Sequence, residues 1–546
     1  MRLYDAGTVL STRAEAPKPA WGPPEGESGA PFGARRAAFW AVAAVVVGFG
    51  VRLAWCLVAV RPHVGSHDPA YYLRYAEHIA AGRGYTTDAG HPTAYYPVGY
   101  PGLLGGVRWV LLHTPLPDSE PWMAAAVNLV FGTATIGLVA VVGRRVVGRW
   151  GGAIAAWIVA LQPNLVYNTA PALTETVFLG LLVAALAVLL WRPLTEPASV
   201  VRLSGAGVLL GLAGLVRPVA LVLLPGLALV LCWQWRRRVA RPARTWAIVS
   251  IACLVTLAPW VVRNTVVMDR ATLATNTGDN LCIGNNPTAS GAFMLPDWCF
   301  ADFPAITDEM IEVRRDRALS ARGLRWAAKH PVDEGRLVFW RTYWTFLSSH
   351  DGLRAVQSYE RDPWLTTYHA RIESVLATTG DAYWFVTAAL GALGLVLWRR
   401  RPDARRSVLA MTVLGLTVVV WPFFGDTRFG LPVVALVAFP AASALEAVFG
   451  GRRREGRLDI VSGVPLAPVV PVVGVGPVVG PVVVADVADV ADDGHGSEQQ
   501  AEEHGAVGGV EGERPAETGS RAGDQLASGD VPPGGEHEQR PGGAHG

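Results

Sequence analysis

Charged side chains are scarce in this chain of 546 residues: Asp, Glu, Lys and Arg together make up 17% of it, whereas 51% of the residues are hydrophobic. A composition this apolar excludes a soluble multidomain protein of this length and indicates a polytopic membrane protein. Lysine occurs only at Lys18 and Lys329, and the arginines fall in short clusters between apolar runs. Because such clusters orient membrane helices, they do not predict binding to nucleic acid.

Several catalytic motifs are also missing from the sequence. It has no P-loop, no G-x-G-x-x-G after a predicted strand, no G-x-S-x-G and no CxxC. Nucleotide binding and serine hydrolysis therefore lack their usual signatures. The sequence specifies no cofactor and leaves open whether a divalent cation takes part.

Cysteine is rare, and only one pair of cysteines shares a polar segment. Cys56, Cys232 and Cys253 fall in apolar runs, while Cys282 and Cys299 lie in one polar loop. If that loop is external, we expect these two to form a disulfide. The alternative is two unpaired thiols, with Cys282 packed as a small apolar side chain.

Long apolar runs dominate the rest of the chain, and a bilayer-spanning helix needs roughly 20 such residues. We predict an all-α polytopic membrane domain over 37–450 with about ten transmembrane helices. The polar segment 1–36 is predicted to be a disordered cytoplasmic tail, and the Pro-, Gly- and Val-rich segment 451–546 a low-complexity, disordered cytoplasmic tail. The predicted spans are 37–60, 122–143, 151–168, 173–191, 203–216, 218–235, 245–262, 382–398, 407–424 and 430–449.

Four arginine clusters, after positions 143, 235, 398 and 451, predict the orientation of these helices in the plasma membrane. All four share the cytoplasmic side only if 203–235 forms two helices that turn outside the membrane at Arg217 and Pro218. Both termini are then cytoplasmic, and two long segments, about 61–121 and 263–381, are external. In the second we expect an Asn- and Gly-rich loop at 276–291 and a helix near the membrane at 308–329.

Asp68 is the acidic residue at the start of the first external segment. Because Pro69 follows it, the simplest interpretation is a helix N-cap, with Tyr71, Tyr72 and Tyr75 on one aromatic face along the bilayer. A carboxylate at this place could also take a proton from an incoming hydroxyl group. The residues alone leave both roles open.

Other charged residues end apolar runs on the predicted outer face. Glu175 opens the fourth span, where the helix dipole alone would favour it, but it would also face the same cavity as Asp68. Arg217, Arg263 and Arg428 could bind a lipid phosphate bidentately, or simply reach toward lipid headgroups. The histidines near Asp68 do not predict a metal site, because proline and glycine interrupt the helix that a His-x3-His pair would need.

Several segments, in this order, resemble the bacterial glycosyltransferase family 39, which is related to protein O-mannosyltransferases within the C-type glycosyltransferase superfamily. The resemblance covers about 37–450. Its segments are Asp68 with Tyr71-Tyr72, AGRGY at 81–85, PTAYYPVGYP at 92–101, LTE at 173–175, Arg217-Pro218, NTGDNLCIGNNP at 276–287 and DTRFGLP at 426–432.

The resemblance implies a C-type glycosyltransferase-like bundle and a sugar donor linked to polyprenyl phosphate. Asp68 would act as the catalytic base, and the acceptor could be a protein, a glycan or a lipid. Relatives commonly have Arg or Lys where this chain has Tyr96, so Arg83 or Arg217 would have to bind the donor phosphate instead. The predicted site comprises Asp68 and Glu175 as acids, with substrate contacts from Arg83, Tyr95, Tyr96, Arg217, Arg263, Asn285 and Arg428.

The main alternative is a membrane transporter or lipid flippase without transferase activity. Transporters usually carry polar residues and broken helices at mid-membrane, often in repeated halves. In this chain the polar residues of interest cluster toward one face, and no internal repeat is visible. A membrane scaffold acting through the C-terminal tail would leave the external segments without a role.

Overall fold

A computed structural model describes residues 30–65, 67–194, 196, 198–234, 240–303, 306, 308–359, 370–400 and 403–461. The tails predicted at either end lie largely outside these residues, although the first described helix begins at Ala30 and the last ends at Val461. The described part of the chain is helical and contains no β-strand, only two isolated bridges.

Nine of the ten predicted apolar spans are helical over nearly their whole length, in one piece or two, and the span predicted at 407–424 is helical only as far as Val418. The helices are α1 (Ala30–Ala59), α4 (Glu120–Val146), α5 (Arg149–Leu161) with α6 (Pro163–Tyr167), α7 (Glu175–Leu189), α8 (Val200–Val216), a 3-10 turn (Pro218–Val222) with α9 (Leu223–Gln234), α10 (Ala240–Met268), α16 (Ala370–Arg400), α17 (Ala404–Val418), α18 (Thr427–Leu436) and α19 (Ala438–Val461).

Within the described residues, four helices are long and apolar enough to cross a membrane: α1, α4, α10 and α16. The pair α18 and α19, bent by 41° at their junction, adds a fifth span if it crosses as one unit. The helices α5, α7, α8 and the 3-10 turn with α9 are apolar but shorter. The chain is thus a multi-pass membrane protein in which several predicted spans are short or interrupted.

Arg52 explains one interruption, between α5 and α6. Pro163 has no N–H to continue the helix, so carbonyls at the end of α5 lose their usual partners. The guanidinium of Arg52, buried inside the bundle, donates to the carbonyl oxygens of Val159 at 3.0 Å and Ala160 at 2.9 Å. A cation from α1 therefore caps the end of α5 and permits the break.

The second interruption occurs where the sequence predicted it. Helix α8 ends at Val216, Arg217 is extended with φ −144° and ψ 117°, and the 3-10 turn starts at Pro218. The prediction of two helices in 203–235 is confirmed.

Helix α8 packs closely on α10, because Gly207 lies against the carbonyl of Val249, where a Cβ would overlap backbone atoms.

The two segments predicted to be external carry their own helices. The first contains α2 (Asp68–Ala80) and α3 (Gly99–Leu112), and the second contains α11 (Thr277–Gly284), α12 (Asp297–Phe300), α13 (Glu309–Lys329), α14 (Pro331–Phe346) and α15 (Asp351–Tyr359). The helix predicted at 308–329 is thus confirmed. The stretch predicted as an Asn- and Gly-rich loop is wrong in part, because it includes α11, which packs against α13.

A buried carboxylate joins the two external segments. Glu312 of α13 accepts hydrogen bonds from the hydroxyl of Thr93 at 2.7 Å, the backbone N–H of Ala94 at 3.0 Å and the hydroxyl of Thr275. Burial raises the pKa of Glu312, and these hydrogen bonds oppose that effect. The first external loop is therefore fixed to the second segment by hydrogen bonds between residues more than 200 positions apart.

The disulfide prediction is confirmed. Cys282, in α11, is bonded to Cys299, in α12, with a Cα–Cα distance of 6.0 Å. Immediately after α11, buried Arg341 of α14 donates to the carbonyl of Gly284 at 2.9 Å and also contacts the carbonyl of Trp421. Arg341 therefore holds the second segment against the loop that precedes α18, while the disulfide joins α11 to α12 within that segment.

The predicted orientation can be checked with introduced cysteines. In a Cys232→Ser background, Ala89→Cys in the first external segment should react with an impermeant maleimide added to intact cells. Arg399→Cys, at the far end of α16, should react only after the cells are opened. Labelling of position 399 in intact cells would overturn the ten-span orientation and the external placement of Asp68.

Candidate active site

Asp68 does not act as the helix cap that its sequence context suggests. The N-cap of α2 is His67, which makes no side-chain capping bond, and α2 begins at Asp68 itself. The Asp68 carboxylate instead accepts from the hydroxyl of Tyr96 at 2.6 Å and from Arg428 Nη1 at 2.9 Å. The predicted N-cap is wrong, and the carboxylate is held by side chains from two other parts of the chain.

The aromatic face of α2 also differs from the prediction. Tyr72 and Tyr75 are buried, and they pack against Tyr96 and Tyr85 of the same external segment rather than facing the bilayer. Burial, together with the adjacent Asp68 carboxylate, raises the pKa of Tyr96. Tyr96 is therefore protonated at neutral pH and donates its hydrogen bond to Asp68.

Arg428 bridges the two predicted acids. It occupies the first turn of α18, where the side chain of Asp426 caps the helix by accepting from the Arg428 N–H at 2.9 Å. Its guanidinium binds Asp68 through Nη1 and Glu175 Oε1 through Nε, each at 2.9 Å. The capped helix end thus holds Arg428 between carboxylates from α2 and α7.

Glu175 receives a second arginine on the same oxygen. Arg217 Nη1, at the end of α8, lies 2.5 Å from Glu175 Oε1 and 3.4 Å from the hydroxyl of Thr174. The Glu175 side chain is fully buried, whereas those of Arg217 and Arg428 are each 17% exposed. An unpaired buried carboxylate would be costly, so the two arginines are what allow this charge at the start of α7.

Four of the predicted residues therefore form one charge cluster: Asp68, Glu175, Arg217 and Arg428. Two carboxylates balance two guanidinium groups, and the Asp68 side chain is 30% exposed. Among the described residues, no acceptor binds Nη2 of either arginine. The cluster can therefore offer N–H donors to an anion beside a carboxylate whose oxygens each keep a free lone pair.

Tyr95 is adjacent to the cluster and binds an ion pair, Asp279 with Arg315, that the sequence did not reveal. Its ring contacts that of Tyr96, with centroids 5.0 Å apart, and its hydroxyl donates to Asp279 Oδ2 at 2.7 Å. Arg315 of α13 binds both oxygens of Asp279, at 3.2 and 3.0 Å. Asp279 lies within the resembling segment 276–287, but no spacing rule connects it to Arg315.

Tyr359 is a second residue that sequence reasoning missed. It ends α15, and its ring lies 4.9 Å from that of His67, next to Asp68 in sequence. Burial raises the pKa of Tyr359, while nearby Arg428 lowers it and Asp68 raises it. The ring contact with His67 places Tyr359 beside the residue that precedes Asp68, and no motif in the sequence marks it.

Arg263 has a structural role besides the predicted phosphate contact. Its guanidinium donates to the carbonyls of Thr93 at 2.8 Å and Tyr85 at 3.0 Å and lies 5.0 Å from the Trp260 ring. Both hydrogen bonds bind the Arg263 guanidinium to the backbone of the first loop. Arg263 therefore holds the loop that carries Tyr95 and Tyr96, and its contact with a donor phosphate stays a prediction.

Asn285 and Arg83 are likewise separated from the charge cluster. Asn285 is buried and binds the carbonyl of Pro422 at 2.7 Å and Arg341 at 3.1 Å, so its side chain fixes backbone. Arg83 follows α2 and pairs with Glu77 at the surface, roughly 20 Å of helix from Asp68. Neither predicted substrate contact is supported by this geometry.

The histidines of the first external segment have separate partners. His63 Nε2 accepts from the backbone N–H of Ala172 at 3.2 Å, and His91 lies 3.8 Å from Glu309. In the part of the chain that the structure describes, no three His, Cys, Asp or Glu side chains are grouped as metal ligands would be.

Replacement of Glu175 by Gln tests whether this carboxylate is the structural centre of the cluster. Removing one partner from a buried ion pair leaves charge uncompensated, so we expect Glu175→Gln to lower the free energy of unfolding by about 3 kcal/mol. Glu77→Gln, which breaks a surface pair, should cost at most about 1 kcal/mol. Denaturant unfolding in detergent measures both, and equal stabilities would contradict this role.

Comparisons with known proteins bear on the middle of the chain. Residues 107–262, which include Glu175 and Arg217, match the family described as dolichyl-phosphate-mannose-protein mannosyltransferase. No curated protein is significantly similar in sequence.

Solved structures with a similar arrangement include two membrane enzymes. The oligosaccharyltransferase of Archaeoglobus fulgidus is 15% identical, with a TM-score of 0.48, over 78% of this chain and 51% of its own. This chain therefore spans about half the length of that protein. ArnT from Cupriavidus metallidurans, bound to undecaprenyl phosphate, is 15% identical with a TM-score of 0.36, over 78% of this chain and 80% of its own. Over residues 107–262 the chain is thus similar to the dolichyl-phosphate-mannose-protein mannosyltransferases, in agreement with the resemblance carried by the sequence motifs.

Proposed function

We propose that this protein is a membrane glycosyltransferase. It moves a sugar from a polyprenyl-phosphate donor to an acceptor hydroxyl at the outer face of the plasma membrane, with inversion at the anomeric carbon. The observation that carries the proposal is the cluster of Asp68, Arg428, Glu175 and Arg217, in a chain whose residues 107–262 match a family of lipid-phosphate-dependent mannosyltransferases.

Asp68 is suited to act as the general base. Tyr96 and Arg428 each bind one of its oxygens, which fixes the orientation of the carboxylate. Each oxygen still has a free lone pair for a hydroxyl at hydrogen-bond distance. Glu175 is less suited to this task because it is fully buried and already binds two arginines.

Arg217 and Arg428 are suited to bind the donor phosphate. Both keep N–H groups that no described residue binds. Both also bind the same oxygen of Glu175, so the two guanidinium groups lie close together. A guanidinium can bind two phosphate oxygens at once. Because negative charge on the phosphate grows as the glycosidic bond breaks, such donors stabilise the transition state more than the bound substrate.

The reaction is then a single displacement. The acceptor oxygen forms a bond to the anomeric carbon while the bond from that carbon to the phosphate oxygen breaks. The hydroxyl proton passes to Asp68, and polyprenyl phosphate leaves as an anion held by the arginines. One base and one displacement give inversion, which the anomeric configuration of the product, read by NMR, would verify.

Aromatic residues on one side of the cluster are suited to the lipid part of the donor. The guanidinium of Arg217 lies 5.5 Å from the centre of the Phe429 ring, which is 5.4 Å from that of Phe424. Phe424 in turn lies 5.1 Å from Phe293, which is 51% exposed. This row leads from the arginines to the protein surface and can contact the first isoprene units.

The base assignment is tested by Asp68→Asn. An amide keeps the size of the side chain and one acceptor oxygen but takes no proton, so kcat should fall by about 1000-fold. The assay uses proteoliposomes, a panel of radiolabelled polyprenyl-phosphate sugars and cell-envelope extract as acceptor. Asp88→Asn, an exposed change in the same external segment, is the matched control and should retain activity.

Near-normal turnover by the Asp68→Asn protein would refute Asp68 as the base. If the wild-type protein transfers none of the labelled sugars but moves the labelled lipid across the bilayer, the flippase alternative takes the place of the transferase.

The phosphate assignment is tested by Arg217→Met and Arg428→Met. Each should raise the KM for the polyprenyl donor and lower kcat, with a combined loss of about 100-fold in kcat/KM. Replacement by Lys should restore only part of the loss, because an ammonium group cannot reproduce a bidentate contact. Steady-state kinetics with varied donor concentration separates the two effects.

Arg83→Met serves as the comparison for these variants. Arg83 pairs with Glu77 at the surface and should not affect donor kinetics. If Arg83→Met raises the donor KM while both cluster variants keep normal values, the phosphate binds near Arg83, as the sequence also allowed, and the assignment here is wrong.

A further inference from the structure

A surface cavity of about 610 Å³ lies at the junction of α13 and α14, and none of Asp68, Glu175, Arg217 and Arg428 lines it. Its lining combines cations with aromatic side chains. Among the lining residues are Trp298, Arg322, Arg325, Trp326, Lys329 and Asp333. Three cations therefore face one carboxylate in a pocket large enough for a small headgroup.

Two of these cations are available to a ligand. Arg322 is occupied, because it binds the carbonyl of Trp298 and the side chain of Asp302 at 3.0 Å. Arg325 and Lys329 are four residues apart on α13 and therefore project from the same side of the helix. Both are exposed, and no carboxylate of the described residues pairs with them. Their positive charge can therefore be matched by an anion from outside the chain.

The surface beside this cavity is apolar and continues along α14. Val332 is 85% exposed, Phe339 63% and Tyr343 41%, and their spacing places them along one side of the helix. Residues 293–295 add a second exposed apolar stretch, with Leu295 64% exposed. Gly291 contacts the backbone of α14 closely, next to Trp340, which holds this stretch beside the helix.

Helix α14 is attached to the membrane domain at its C-terminal end. Trp384 of α16 donates to the carbonyl of Phe346 at 3.0 Å, and Trp421 donates to the hydroxyl of Thr342 at 3.1 Å. Trp384 is roughly 22 Å of helix from Arg399, at the predicted cytoplasmic end of α16, so it lies about 8 Å inside the outer boundary of a hydrocarbon layer about 30 Å thick. The C-terminal end of α14 therefore lies in the outer part of this layer, and the apolar side of the helix continues from there toward the lipid headgroups.

We propose that α14 lies in the outer membrane surface and that the cavity beside it binds the phosphate headgroup of an anionic lipid. Arg325 and Lys329 contact the phosphate, the rings of Trp298 and Trp326 lie at headgroup level, and the exposed apolar residues contact the acyl chains. The charge of the cavity selects an anionic lipid over a zwitterionic one. The proposal is independent of the transferase reaction, because it concerns binding alone.

The test uses the purified full-length protein and native mass spectrometry. Dioleoylphosphatidylglycerol and dioleoylphosphatidylcholine are titrated separately, and the bound fraction gives an apparent Kd for each. We expect tighter binding of phosphatidylglycerol, weakened about fivefold by Arg325→Gln or Lys329→Gln and about 25-fold by both together. Binding of phosphatidylcholine should not change in these variants.

Arg314→Gln is the matched control. It removes the same charge from the exposed surface of the same helix, three turns before Arg325, and should leave phosphatidylglycerol binding unchanged. Arg325→Lys, which keeps the charge, should retain most of the affinity. Melting temperatures of all variants establish that each protein is folded.

Three results would overturn the proposal. Equal binding of the two lipids would mean that the surface contacts the bilayer without selecting charge. Unchanged phosphatidylglycerol binding in the double variant would place the lipid elsewhere. Binding of a soluble anionic sugar, tetragalacturonic acid, that is lost in the double variant and is accompanied by no lipid preference would make the cavity a glycan site instead.

Discussion

The carboxylate of Glu175 is the group on which the proposed site depends. It is fully buried at the start of α7, and it is stable there only because Arg428 and Arg217 bind the same oxygen. Since each arginine belongs to a different helix end, this one charge brings α7, α8 and α18 together. Arg428 also binds Asp68, through its Nη1 atom.

The segments predicted to be external are likewise positioned by polar side chains that are buried or half-buried. Glu312 holds the first loop from α13, and Arg263 holds the same loop from the end of α10. On the other side, Arg341 connects the end of α11 to the loop before α18. Because all three bind backbone groups, they fix loop position without themselves offering chemistry to a substrate. The tyrosines next to Asp68 are therefore placed by residues that never touch the cluster.

The charged residues of the cluster could be predicted from the sequence, but the side chains that hold the loops could not. A charged residue at the end of an apolar run is visible in sequence, which is why Asp68, Glu175, Arg217 and Arg428 could be named as site candidates. Partners are not visible, because hydrogen bonds to backbone between distant segments leave no pattern. Arg263 was for this reason assigned to phosphate alone. The N-cap expected at Asp68 failed for a related reason, since a long-range ion pair outweighed a local turn preference worth about 1 kcal/mol.

The separation of the clustered residues along the chain has a consequence for biosynthesis. Asp68 and Arg428 are 360 positions apart, and Arg428 belongs to the last membrane segment of the described chain. During translation, Asp68, Glu175 and Arg217 are inserted first, and for most of that time two carboxylates share a single arginine. The nascent chain thus carries an excess negative charge at this place until the last segment enters the membrane. Assembly of the cluster therefore waits for α18, and a chain that stops short of Arg428 would hold Asp68 with no cation to orient it.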